Sequence, residues 1–122
     1  MKILSNYCVV PSTPTQKTEG SFRLGVLMTN NNTLLNMLGP PNAKPSADGK
    51  VGEHWVLETE EGPVTVYQYD INPVGHFSVA AKSEPAVALF LAAIHNNNAE
   101  HWQYYSNQEY SQNINILSRH WR

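Results

Sequence analysis

The feature that most constrains the fold is the run of residues 48–83, DGKVGEHWVLETEEGPVTVYQYDINPVGHFSVAAKS. Polar turn residues cut it into three short segments rich in β-branched and aromatic side chains, the pattern of consecutive strands. In the first, Trp55, Leu57 and Thr59 fall on one face and His54, Val56 and Glu58 on the other. The tryptophan face is the better core candidate. Glu60-Glu61-Gly62 fits a short hairpin loop whose glycine supplies a positive φ, and Pro63 opens the next strand, where a missing amide does least damage. There Val64, Val66 and Gln68 oppose Thr65, Tyr67 and Tyr69, so both faces carry large groups and one is available to a partner or a ligand. After a turn at 71–75, Phe77, Val79 and Ala81 alternate with His76, Ser78 and Ala80.

Helical signals flank this meander. Asn30, Asn31 and Asn32 offer a capping oxygen, Leu34, Leu35, Met37 and Leu38 follow at helical spacing, and Gly39-Pro40-Pro41 stops the helix. A helix of two turns cannot hold itself together, so its leucines must dock on something. Downstream, Ser83 is a cap, Glu84 complements the helix dipole and Pro85 is tolerated in the first turn. Val87, Phe90, Leu91 and Ile94 then recur as the stripe of a helix packed on a sheet. Upstream, residues 3–10 read as a strand ending at Pro11, and 22–28 as a strand weakened by Gly25. The chain is therefore expected to be α+β, with an antiparallel sheet of three to five strands and a helix before and after the central meander. One domain spans 1–122, with its core in 33–95 and an aromatic extension in 99–122.

That extension has two open readings. Tyr110, Ile114, Leu117 and Trp121 are spaced by four, three and four, a single ridge on a helix, whereas residues 114–117 also read as a short strand. Its aromatic content suits either a homo-oligomer interface, built from Trp102, Tyr105, Tyr110, Ile114, Leu117 and Trp121, or a tail folded back over its own sheet.

Composition narrows the function classes. With 41% hydrophobic and 15% charged residues among 122, the chain is a folded globule; its net charge of −2 offers no basic stripe for a long nucleic acid. No apolar run approaches the roughly 18–20 residues of a membrane span, and Ser5 and Asn6 break the opening segment before an h-region forms. A soluble cytoplasmic protein that is not secreted is the expectation. Cys8 is the only cysteine, which excludes an intrachain disulfide and a thiolate cluster, and it reads as a packed strand residue.

Catalytic signals are weak. The histidines at 54, 76, 95, 101 and 120 include no pair at ligand spacing; His54 and His76 could meet across the sheet near Glu53 or Glu58, but no metal, cofactor or catalytic residue is assigned. No serine lies in a nucleophile elbow, and the 7 glycines form no phosphate loop or dinucleotide fingerprint. Binding has more support. Lys50, His54, Trp55, Tyr67, Tyr69, His76 and Lys82 lie on or beside the strands and would gather rings, cations and hydrogen-bonding groups suited to a nucleotide-sized anion. The same mixture suits a protein partner, or an ordinary sheet with half-exposed tyrosines.

The series LLNMLGPPN, SADGKVGEHWVLET, a glycine turn and VTVYQYD resembles a small domain of tailed phages and large DNA viruses. That domain carries a Leu-Leu-Gly-x-Pro segment before Asp-Gly-Lys-Val, a strand tryptophan and an aromatic-Asp pair. Leu34, Leu35, Leu38, Gly39, Pro41, Asp48, Gly49, Lys50, Val51, Trp55, Gly62, Tyr69 and Asp70 match it, over about 33–94. The third strand departs: Phe77-Ser78-Val79-Ala80-Ala81 stands where the pattern has a tryptophan, an apolar residue and paired glycines. The resemblance implies a viral accessory origin and no set mechanism. The expected function is thus a phage counter-defence protein that binds without catalysis and sequesters a nucleotide-derived immune signal. The alternatives are an inhibitor that docks on a host defence protein and a small hydrolase using His54 or His76.

Overall fold

The computed structural model describes residues 10–11, 21–69, 72–96 and 102–112. In chain order the elements are β1 (Val10–Pro11), β2 (Phe22–Thr29), α1 (Asn31–Leu38), β3 (Trp55–Thr59), β4 (Gly62–Tyr67), β5 (His76–Ala81), α2 (Glu84–Asn96), β6 (Trp102–Ser106) and α3 (Asn107–Gln112). The strands form one sheet in the order β1-β3-β4-β5-β2-β6, and every pairing is antiparallel. This is an α+β fold, with helices before and after the meander.

The register explains the core. Leu57, Val64 and Ala81 lie in one row across β3, β4 and β5, and Trp55, Val66 and Val79 in the next. Phe77 and Leu27 continue the same face, and all these side chains are buried. Two helices cover that face. From α1 come Leu34, Met37 and Leu38, and from α2 come Ala86, Val87, Phe90, Ala93 and Ile94. α2 crosses β3, β4 and β5. Burying side chains such as Leu34 and Leu38 contributes about 1.5–3 kcal/mol each, which is what a helix of eight residues needs to persist.

Both ends of α1 are closed as the residue types require. Asn30, in extended conformation, accepts from the Thr33 amide at 2.7 Å through its side-chain oxygen. Gly39 takes φ 78° and donates its N–H to the Leu35 carbonyl at 2.8 Å. In the β3–β4 hairpin, Gly62 adopts φ 112°, and the buried Thr59 hydroxyl donates to the Gly62 carbonyl at 2.8 Å.

The opposite face of the sheet holds a second, smaller apolar group: Val26, Met28 and Tyr110, with Tyr105 packed beside them. α3 lies here, against β2 and β6. It carries Tyr110 to His76, whose fully buried ring places Nδ1 2.6 Å from the tyrosine hydroxyl.

Several sequence-based boundaries need correction. The strand expected over 64–70 stops at Tyr67, because Tyr69 leaves the ladder for an isolated bridge with Val51. Pro63 is the second residue of β4, not its first. Residues 102–106, read only as part of an aromatic tail, form β6 and pair with β2. Of the strand expected over 3–10 only Val10 is described, paired with Glu58; Cys8, Asp70, Ile114, Leu117 and Trp121 lie outside the described residues. No helix among the described residues is long and apolar enough to cross a membrane.

Candidate functional site

A cleft of about 520 Å³ opens where α1, the 49–53 turn and the β4–β5 connection meet. Its floor is the ends of two core rings. Trp55 and Phe77, both nearly buried, meet edge to face with centroids 6.4 Å apart and planes at 75°. The indole is anchored as well as packed, for its Nε1–H donates to the Gly39 carbonyl at 2.9 Å. That one bond joins the cleft floor to the C-terminus of α1.

The turn that carries the cleft's cation is built by side chains. The Asp48 carboxylate accepts from the Ser46 hydroxyl at 2.7 Å and from the Lys50 amide at 3.0 Å, and the Val51 amide donates to the Ser46 hydroxyl at 3.0 Å. Those bonds, the Ser46 hydroxyl first, hold the Asp48 carboxyl below its ordinary range. Gly49 sits at φ 74° with open space around it, and it turns the chain so that Lys50 lines the cleft. The loop is tied down on both sides. Asn42 gives its amide to the Val56 carbonyl at 3.0 Å and accepts the Val56 N–H at 2.8 Å, while Ala43 bridges His54 and Val51 bridges Tyr69.

Across from the turn, Tyr69 is 39% exposed and lines the cleft. Its neighbour Tyr67 meets it edge-on, with centroids 5.3 Å apart and planes at 77°, which fixes the tilt of the exposed ring. Burial raises the Tyr67 hydroxyl above its usual pKa, with Tyr69 adding to the effect, so it stays neutral at physiological pH. Gln68 and Asn72 flank Tyr69 in sequence and also line the cleft. Exposed Leu35 and Val74 complete an apolar rim.

Of the seven residues expected to bind a ligand, Lys50, Trp55 and Tyr69 converge on this cleft. The others do not line it. His54 is half-buried with Nδ1 3.0 Å from the Gly52 carbonyl. Tyr67 supports Tyr69 from behind. His76 is buried on the far face beside Tyr110, since the alternation of β5 points it away from Phe77. Lys82 is exposed just past the other end of β5. Sequence reasoning missed Asn31, Leu35, Gln68, Asn72 and Val74, and considered Glu53 only beside His54 and His76. Leu35 carried a signal, being a leucine off the Leu34–Leu38 stripe; the carboxamides carried none in a chain so rich in asparagine.

Among the residues expected at an oligomer interface, Trp102 and Tyr105 are half-buried on the outermost strand, β6. Tyr110 is 7% exposed, and its surface is taken up inside its own chain. Among the described residues no three His, Cys, Asp or Glu side chains lie where they could share a metal ion. No family model matches the chain, and neither a curated protein nor a solved structure was found to match it.

Proposed function

We propose that this chain is a non-catalytic binding protein that takes a nucleotide-type ligand in the cleft. We further propose that it acts in a host cytoplasm as a phage counter-defence factor, withholding a nucleotide-derived immune signal. One observation carries the binding reading: an exposed aromatic ring, a lysine on a rigid turn and hydrogen-bonding side chains line one cleft above the Trp55–Phe77 floor. The volume, about 520 Å³, is that of a site for a small ligand. The Tyr69 ring supplies a stacking plane, and the Lys50 ammonium meets a phosphate. Asn31, the first residue of α1, puts the positive end of that helix dipole on the same wall. The counter-defence setting rests on the viral resemblance of residues 33–94.

A second reading has its own support. Leu35, Tyr69 and Val74 are exposed and line the same cleft, apolar surface of the kind a docking site for a host defence protein would use. A hydrolase is less well served, since neither His54 nor His76 lines the cleft. Self-association through Trp102 and Tyr105 is a separate proposal that sedimentation would check.

Incubating the protein with cyclic oligonucleotides and ADP-ribose derivatives, then denaturing it and chromatographing the released material, separates these readings. Sequestration returns the retained compound intact. Altered product identifies an enzyme, and no retention identifies protein docking. Lys50→Ala and Tyr69→Ala should each abolish retention with thermal stability nearly unchanged, because both side chains are exposed. Equal loss of stability and retention would make them structural instead.

A further inference from the structure

Two of the carboxamides in the cleft wall, those of Gln68 and Asn72, are not free to present either end. Gln68 donates through Nε2 to the Pro73 carbonyl at 3.1 Å. Asn72 donates through Nδ2 to the His76 carbonyl at 3.0 Å and to the Ser78 hydroxyl at 3.3 Å. A backbone carbonyl only accepts, so in both side chains the nitrogen is the bonded end, and neither oxygen has a partner among the described residues. Glu53, exposed on the same wall, is an acceptor as a carboxylate. Three residues that line the cleft thus offer acceptor oxygens beside Lys50, with one N–H of Gln68 left over.

An anion alone does not account for this wall, because a carboxylate repels phosphate and the two carboxamide oxygens only accept. A group rich in N–H donors does. Among the nucleobases, guanine presents adjacent N1–H and N2–H₂ donors on one edge; adenine there offers a single amino group next to a bare ring nitrogen, which would face an acceptor without a proton between them. Asn31, whose carboxamide has no partner among the described residues, can turn its nitrogen to the guanine O6.

Building on the nucleotide reading above, we infer that the cleft selects a guanine base, with Gln68 Oε1, Asn72 Oδ1 and Glu53 accepting from its N1–H and N2–H₂ edge while Lys50 holds the phosphate. Tyr69 stacks on the base. The base edge and the phosphate then answer to different residues, which makes the two parts separable.

Calorimetric titration of the full chain with guanosine, inosine and adenosine 5′-monophosphates tests this. Guanosine monophosphate should bind about tenfold or more tighter than adenosine monophosphate, with inosine monophosphate between them because it keeps N1–H and lacks the amino group. Glu53→Gln, an exposed change that leaves the melting temperature in place, should bring the guanine and inosine affinities together. Gln68→Leu should narrow the guanine-to-adenine ratio while leaving measurable binding. Equal affinity for all three, tighter adenine binding, or ratios unmoved in both variants would overturn base selection and leave the nucleotide reading standing. No binding of any of them would overturn both.

Discussion

Replacing Trp55 by Phe probes the bond that ties the fold to the cleft. The indole N–H donates to the buried Gly39 carbonyl at 2.9 Å, and phenylalanine leaves that acceptor unpaired at a cost of about 1–3 kcal/mol. The lost ring atoms remove packing against Phe77 and α1 worth about another 1 kcal/mol. The total is roughly 2–4 kcal/mol. A chain of 122 residues unfolds with an entropy of about 0.26 kcal/mol per kelvin, so the melting temperature should fall by about 8–15 °C. Calorimetry measures the fall, and hydrogen exchange locates it. The Gly39 amide, bonded to the Leu35 carbonyl, should lose protection ahead of the β4 and β5 amides. A fall under about 2 °C with Gly39 protection intact would refute the argument, because the indole bond would then contribute nothing to α1.

Other outcomes follow from the far face and the outer strand. Tyr110→Phe removes the hydroxyl bonded to the fully buried His76 Nδ1 and should cost about 1–3 kcal/mol, read from urea denaturation. Gly25→Ala should loosen β6, because a Cβ there would overlap the Tyr104 ring and the Tyr105 carbonyl; about 1–3 kcal/mol of destabilisation and weaker β6 amide protection are expected. Burial, with Glu84 and Glu109 adding to it, pushes the Tyr104 hydroxyl up to about 12 from an ordinary 10.0. The unfolded chain therefore ionises first: the stability linked to this group is complete below pH 10, falls as pH rises from 10 through 12, and changes no further above that. Phenolate absorbance should show a late-titrating component that Tyr104→Phe removes.

Much of the fold could be read from residue order because its signals are local. Asn30 and Gly39 close α1 by chemistry contained within one short segment, and the alternation of Trp55 with Val56 sets the register that brings Trp55 to Val66. β6 was illegible for the opposite reason. Its residues, WQYYS, become a strand by pairing with β2, about eighty residues away, at a position cleared by Gly25. The cleft divides in the same way. Lys50 stands out as a cation beside the Asp-Gly turn and Tyr69 as an aromatic of the meander, and the Val51–Tyr69 bridge joins their segments. Gln68 and Asn72 matter only because their nitrogens are bonded to carbonyls in the β4–β5 connection and β5, which no spacing announces. His76 was misplaced because alternation separates it from Phe77 without showing which face is open.

The most direct test of the binding account is a two-dimensional amide and indole spectrum of the nitrogen-labelled chain, titrated with the mononucleotides. Saturable shifts should appear at the Lys50, Gly52 and Tyr69 amides and at the Trp55 indole, while the amides of β6 and α3 stay in place. Shifts confined to β6 and α3, or a spectrum unchanged at every nucleotide concentration, would contradict it.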